Sequence, residues 1–246
     1  MTMPSPVLII GCGALGRELA ELKRLNGWSH VTLRCLPAEL HNRPERITPA
    51  LREAIESGRR EFEHIFVAYA DCGSRGDIER LLAAYGIERL PGAHCYEFFA
   101  SGRRFAELAG AEPGTFYLTD FLVRHFDRLV RRGLGLDRHP ELMRNYFGNY
   151  RRLVYLSQAN DPALDEMACA HARFLGLEYR REPCGFAPFN QAVTERIIRW
   201  RSLFLATKRL KPSRSISLRG QSSKTSISAR SWRRMRQRPR PSPAIR

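Results

Sequence analysis

A short, unbroken apolar run that ends in a turn and passes straight into an amphipathic segment recurs along this chain, and this recurrence restricts the fold more than any other feature. VLII (Val7–Ile10) leads through glycines into GRELAELKRL, with Leu15, Leu19 and Leu22 at helical spacing. Such a run is a strand buried on both faces, and the helix behind it makes a β-loop-α unit. The pattern repeats with VTLRCL (Val31–Leu36) before a helix from Pro49 to Arg60, and with HIFVAYA (His64–Ala70) before a helix from Asp77 to Tyr85. Ile87–Leu90 then precedes a helix through Tyr96–Phe99, TFYL (Thr115–Leu118) precedes one over Phe121–Arg131, and RLVYL (Arg152–Leu156) precedes one over Asp161–Leu175. Leu177–Arg180 reads as a last, edge strand. Alternation of this kind requires right-handed crossovers, so the expected fold is α/β: a mostly parallel sheet with helices on both faces, Rossmann-like and doubly wound.

Composition divides the chain in two. Arg196–Arg246 carries sixteen of the 41 Lys and Arg and none of the 25 Asp and Glu, so the net charge of +16 belongs to this tail and residues 1–195 are balanced. The expected organisation is therefore an α/β domain over 1–195 and a basic Ser/Arg/Pro-rich tail over 196–246 that cannot repay its ordering entropy and is disordered. An abrupt switch to Arg, Ser, Pro and Ala is also what a shifted reading frame of a GC-rich gene yields. If genuine, the tail is where nucleic acid would bind, by counterion release, with Trp200 and Trp232 available to stack. No stretch reaches the roughly 18 apolar residues of a membrane span, and MTMPSPVLII runs into a strand without a basic leader, so the expected location is cytoplasmic. Six cysteines without a C-x-x-C pair fit reduced thiols better than a disulfide scaffold.

In parallel sheets ligands bind beyond the carboxyl ends of the strands. The residues there are Gly11-Cys12-Gly13, Cys35 with His41 further on, Asp71-Cys72-Gly73, His94-Cys95, Thr119-Asp120 and Gln158 with Asn160. Cys12, Cys72 and Cys95 thus follow three different strands. Together they can be a metal or iron–sulfur site assembled by the fold, with His41 or His94 as a further ligand or acid/base. They can instead be reactive thiols, Cys12 and Cys95 each preceding a helix, or small apolar packing residues. Tyr69, Asp71 and Asp120 can orient ligands from behind or cap the next helix. Phe98, Phe99, Phe105 and Phe116 read as core.

Gly11, Gly13 and Gly16 form G-x-G-x-x-G between a strand and a helix, the context of a dinucleotide loop, which keeps an NAD(P)-dependent oxidoreductase as an alternative. The acidic residue expected at the end of the second strand is missing, Glu39 falling late; Arg34, in mid-strand, is the candidate for a 2′-phosphate. Glycines that permit a tight turn and close helix packing explain the same motif.

GCGALGREL, the LH-x-x-P element Leu40–Pro44, YADCG (Tyr69–Gly73), His94-Cys95 followed by Ser101-Gly102, and PGTFYLT (Pro113–Thr119) resemble the family labelled domain of unknown function 1638, over about residues 6 to 190. The resemblance implies that Cys12, Cys72, Cys95 and His41 are among the family's characteristic positions. It also implies a setting beside corrinoid proteins and trimethylamine-type methyltransferases. The expected function is a metal-binding (zinc or Fe–S) or corrinoid-associated accessory protein or enzyme of one-carbon, methylated-amine metabolism. The alternatives are the NAD(P) enzyme and a non-catalytic binding module with a nucleic-acid-binding tail.

Overall fold

The structure is a computed structural model that describes residues 6–197. Its first strand, β1 (Val7–Cys12), is buried along its whole length. It pairs in parallel with β2 (Val31–Leu36) on one side and β3 (His64–Ala68) on the other, in the order β2-β1-β3. The connecting helices α1 (Gly16–Leu25) and α2 (Ile47–Gly58) turn Leu19 and Leu22, and Ile47, Leu51 and Ile55, into the core that covers this sheet. Because the chain leaves β1 towards one edge and returns past it to form β3, the strand order reverses between β1 and β3. The crevice that a reversal opens lies above the carboxyl ends of these two strands.

The single sheet expected from the sequence is instead two sheets of three strands. The expected strand Ile87–Leu90 is reduced to a parallel bridge, Val67 with Arg89, in which Val67 donates to Glu88 and Leu90 to Val67. Pro91 has no N–H to extend the ladder, and the chain turns away from the sheet. Here α3 is Asp77–Tyr85, followed by α4 (Tyr96–Ala100) and α5 (Gly102–Ala111), the last not foreseen from the sequence. β4 (Thr115–Thr119) therefore starts a new parallel sheet with β5 (Arg152–Ser157) and β6 (Glu178–Pro183), in the order β4-β5-β6. β6 is the expected edge strand and carries Arg180, Arg181 and Glu182, charges that discourage further pairing.

The helix expected over Phe121–Arg131 is broken into α6 (Asp120–Arg124) and a π-helical turn at Asp127–Arg131, where Arg132 donates back to the Asp127 carbonyl. Two further helices complete the second unit, α7 (Leu142–Phe147) and α8 (Pro162–Leu175). Its core gathers Leu118, Val123, Leu153, Tyr155 and Ala168, while Ala100, Leu108, Tyr117, Val154 and Leu156 form a seam beside it. A helical stretch across 187–197 then returns to the first core with Phe189, Val193 and Ile197. A boundary at residue 195 would thus cut a helix whose Ile197 is 4% exposed. Residues 198–246, the rest of the expected tail, lie outside the described residues. Among the described residues no helix is long and apolar enough to cross a membrane.

Candidate metal centre

Each loop at the crevice is shaped by its own sequence. Cys12 is the last residue of β1; its sulfur accepts from the Ala14 N–H at 3.3 Å and so caps the turn Gly13–Leu15. Pro37 stops β2, and the next turn, Ala38–Asn42, carries His41 back over the end of β1 with Nδ1 3.1 Å from the Ala38 carbonyl. Gly13 makes this approach possible: a Cβ there would stand 2.8 Å from the Leu36 oxygen and 3.2 Å from the Ala38 nitrogen. After β3 the chain runs through Asp71–Gly76, where Cys72, Gly73, Arg75 and Gly76 all have positive φ. For Cys72, at φ 48°, this is a strained conformation that the surroundings must enforce. They do so through the Asp71 carboxylate, which accepts from Ser74 Oγ (2.7 Å), Gly76 N (2.8 Å) and Arg75 N (3.1 Å), and through the Cys72 N–H, which donates to Ala93. Cys95 precedes α4 in a segment pinned by Glu97 Oε1, which accepts from Ala93 N at 2.7 Å and His94 N at 3.1 Å.

These loops bring together His41, Cys72 and Cys95, whose ligand atoms all lie within 4.8 Å of one another, a group that could hold a metal ion. The Cys12 sulfur stands 3.7 Å from His41 Nδ1 and 3.9 Å from Nε2, on the border of the group. The Tyr69 ring stacks on His41 with centroids 6.5 Å apart, and its buried hydroxyl faces Cys12. His41, Cys72 and Cys95 follow β2, β3 and the Val67–Arg89 bridge respectively, while Cys12 ends β1 and Tyr69 directly follows β3.

The electrostatics divide the two clustered thiols. A hydrogen bond from Cys95 and the neighbouring His41 hold the Cys72 thiol well below its ordinary value despite burial. Cys95, the donor of that bond, is pushed well above it by the same bond and by burial. Burial alone would depress His41, but hydrogen bonds to Cys12 and Cys72 outweigh it and push the imidazole up to about 11. Of the two clustered thiols, Cys72 is thus the one favoured toward ionisation and Cys95 the one disfavoured, whereas placement before a helix points to Cys12 and Cys95 as reactive thiols.

Other residues anticipated at the site lie elsewhere. His94 is exposed, with its ring against Tyr96 and Phe105 rather than among the ligands. Asp71 shapes the Cys72 loop. Asp120 belongs to the second sheet, where its buried carboxylate accepts from Tyr155 Oη (2.7 Å) and from the backbone of Gln158 and Ala159 (3.0 Å each). Gly11 and Gly13 have reasons internal to the chain: a Cβ on Gly11 would meet Leu19 Cδ1 at 2.6 Å and one on Gly13 the β2 loop, whereas one on Gly16 would make only ordinary contact, 3.4 Å from the Cys35 sulfur. The backbone of Leu36 and Ala38 lies close against Gly13, and Arg34 bonds the Ala54 carbonyl of α2. Glu97 was missed, although a glutamate in the first turn of a predicted helix is a recognisable signal for a carboxylate that ties down the entering backbone.

The centre opens onto a cavity of about 250 Å³ bounded on one side by His41 and Cys95 and on the other by residues of the second unit, among them Phe116, Phe121 and Leu129. Asn42 Nδ2 donates to the Leu129 carbonyl at 2.9 Å across this boundary, and Arg128 pairs with Glu39 at 3.2 Å.

A family model described as protein of unknown function (DUF1638) matches residues 35–193. The matched span includes His41, Cys72 and Cys95 and begins after Cys12 and the glycine turn, later than the resemblance in the motifs had indicated. No curated protein and no solved structure matches the chain.

Proposed function

We propose, for a chain that belongs to the DUF1638 family, that it is a metalloprotein whose Cys72, Cys95 and His41 hold a zinc ion at the crevice between β1 and β3. The observation that carries this reading is the convergence of those three ligand atoms within 4.8 Å from three separate loops. Tetrahedral zinc with Zn–S bonds of about 2.3 Å holds two sulfurs roughly 3.8 Å apart, so the group needs a contraction of only about 1 Å. The donor chemistry fits: Cys72 is favoured toward the thiolate, and a metal that takes this sulfur displaces a proton from His41, freeing a ring nitrogen to ligate. Three protein ligands leave a coordination position open, the arrangement of a reactive rather than a structural zinc. An Fe–S cluster, which needs about four ligands, would require Cys12 as well.

When bound, zinc lowers the pKa of a thiol or water placed in the open position. The chain's own contributions are separable from that. Asp71 and Glu97 hold the cysteine loops in place, Tyr69 stacks on the His41 ring, and its buried hydroxyl lies beside Cys12. A thiol activated in this way is an acceptor for a methyl group, and the setting implied by the sequence motifs names the partners: a corrinoid protein or a methyltransferase of methylated-amine metabolism. In this reading the protein acts as an accessory protein or enzyme of one-carbon transfer.

Metal analysis of the full chain tests the core of the proposal. One zinc per chain is expected, with loss of that zinc in Cys95→Ser and in Cys72→Ser. A wild type that takes up no metal from a zinc-replete solution, and melts at the same temperature with and without chelator, would end the reading.

A further inference from the structure

We infer that the cavity beside the Cys–His centre takes a small, uncharged and largely apolar molecule of up to about ten non-hydrogen atoms, which meets the centre with one end. This rests on the reading above for what the ligand meets, and on the cavity alone for its size and polarity. A dry cavity of about 150 Å³ accommodates benzene, so about 250 Å³ seats a body a little larger. The far wall is made by Phe116, Phe121, Leu122, Leu129, Val130 and Leu134, with no Lys, Arg, Asp or Glu among the described residues that line it. A phosphate, carboxylate or ammonium group set against that far wall, away from His41, would have no charged partner there, which is unfavourable.

Part of the wall's polar capacity is committed elsewhere: Asn42 Nδ2 donates to Leu129, and Thr119 Oγ1 accepts from the Leu122 N–H at 3.4 Å. The polar end of a ligand is received on the side formed by His41, Cys95 and Tyr96. The apolar wall and the Cys–His side come from different sheets, so the binding surface exists only where the two units meet.

Two titrations on the full chain test this. In the first, toluene is added to metal-free protein; a rise in melting temperature is expected. In the second, the protein is loaded with Co(II) and titrated with neutral alkanethiols from ethanethiol to hexanethiol, following the thiolate-to-cobalt absorption. Affinity should rise about fourfold per methylene, reach a maximum when the cavity is full, and exceed that of thioglycolate throughout. Leu129→Trp should abolish the dependence on chain length while Co(II) uptake stays at the wild-type level. The smaller change Leu134→Phe, in case Leu129→Trp does not fold, should move the maximum to a shorter thiol. Affinity that is flat along the series, or higher for thioglycolate, together with no effect of toluene, would overturn the inference. Failure to take up Co(II) with the toluene effect intact would instead sink the zinc reading and leave the cavity assignment standing.

Discussion

Replacing Gly13 with alanine should loosen the metal centre through a residue that touches none of its ligands. Gly13 does not have a positive φ, so alanine is conformationally acceptable there, and fewer unfolded states would even stabilise the fold by about 0.4–1 kcal/mol. The obstacle is steric. The new Cβ would lie 2.8 Å from the Leu36 oxygen, and because the neighbour is backbone it cannot rotate away as a side chain can. To regain ordinary contact the Leu36–Ala38 segment must retreat by about 0.5 Å, an overpacking cost of about 1–3 kcal/mol. The net loss is about 1–2 kcal/mol, equivalent to roughly 2–8 °C in melting temperature for a chain of this size. That same segment leads into the turn that carries His41, and a shift of about 0.5 Å is the limit within which a ligand set keeps its geometry. Zinc affinity should therefore fall about 10–100-fold, as when a ligand's support is removed. Gly11→Ala is the control: its Cβ meets the end of the Leu19 side chain on α1, so it should lower stability and leave zinc affinity alone. Calorimetric melts of the metal-free proteins, with competition titrations against a chromophoric chelator, read both quantities. A Gly13→Ala protein with wild-type zinc affinity would refute the claim that this glycine serves the His41 loop, as would a Gly11→Ala protein that loses zinc to the same extent.

Other expectations follow from individual side chains. Asp120→Ala should cost about 2–4 kcal/mol, because three donors aimed at a buried carboxylate lose their acceptor, while zinc uptake stays unchanged; loss of zinc would restore Asp120 to the site. Glu18 is buried with one oxygen unpartnered, and burial, reinforced by Asp120, raises its carboxyl above the ordinary 4.5. Its contribution is thus complete below pH 4.5 and is lost as pH rises through the raised value, so Glu18→Gln should stabilise the protein at pH 7 and cease to do so at pH 4 in thermal melts. In the metal-free protein His41, raised to about 11, contributes stability that is complete below 6.5 and lost as pH rises through 11, whereas the lowered Cys72 contributes stability that is complete above 9 and lost as pH falls through its lowered value. His41→Gln should accordingly destabilise metal-free protein by about 2 kcal/mol at pH 7–8 and by less above pH 11; denaturant melts across that range that showed no pH dependence of the difference would contradict the ion pair.

Local order was legible in the chain wherever it depends on neighbours in sequence. β2 (Val31–Leu36) and α3 (Asp77–Tyr85) have the bounds expected of them, because apolar run length and helical spacing are local quantities, and the placing of Cys12, Cys72 and Cys95 beyond strands needed only the β-loop-α alternation. What spacing could not decide is which atoms meet. The expected strand Ile87–Leu90 is reduced to a bridge and the expected sheet is two, because which segments pair is settled over long range and is not contained in the local apolar pattern. His41 entered the cluster and His94, adjacent to a ligand in sequence, stayed outside it, because a 3-10 turn folds one back over β1 and the helix after the other points it at Tyr96 and Phe105. Asp71 and Asp120 looked alike as acidic residues after strands, yet one builds the Cys72 loop and the other ties the second sheet together. The sequence by itself therefore determined the alternating architecture and the short set of residues from which a site could be made. The tertiary structure decided which of them converge, where the charge resides among them and what cavity they face, since distance across a fold is set by the packing of segments that are far apart along the chain.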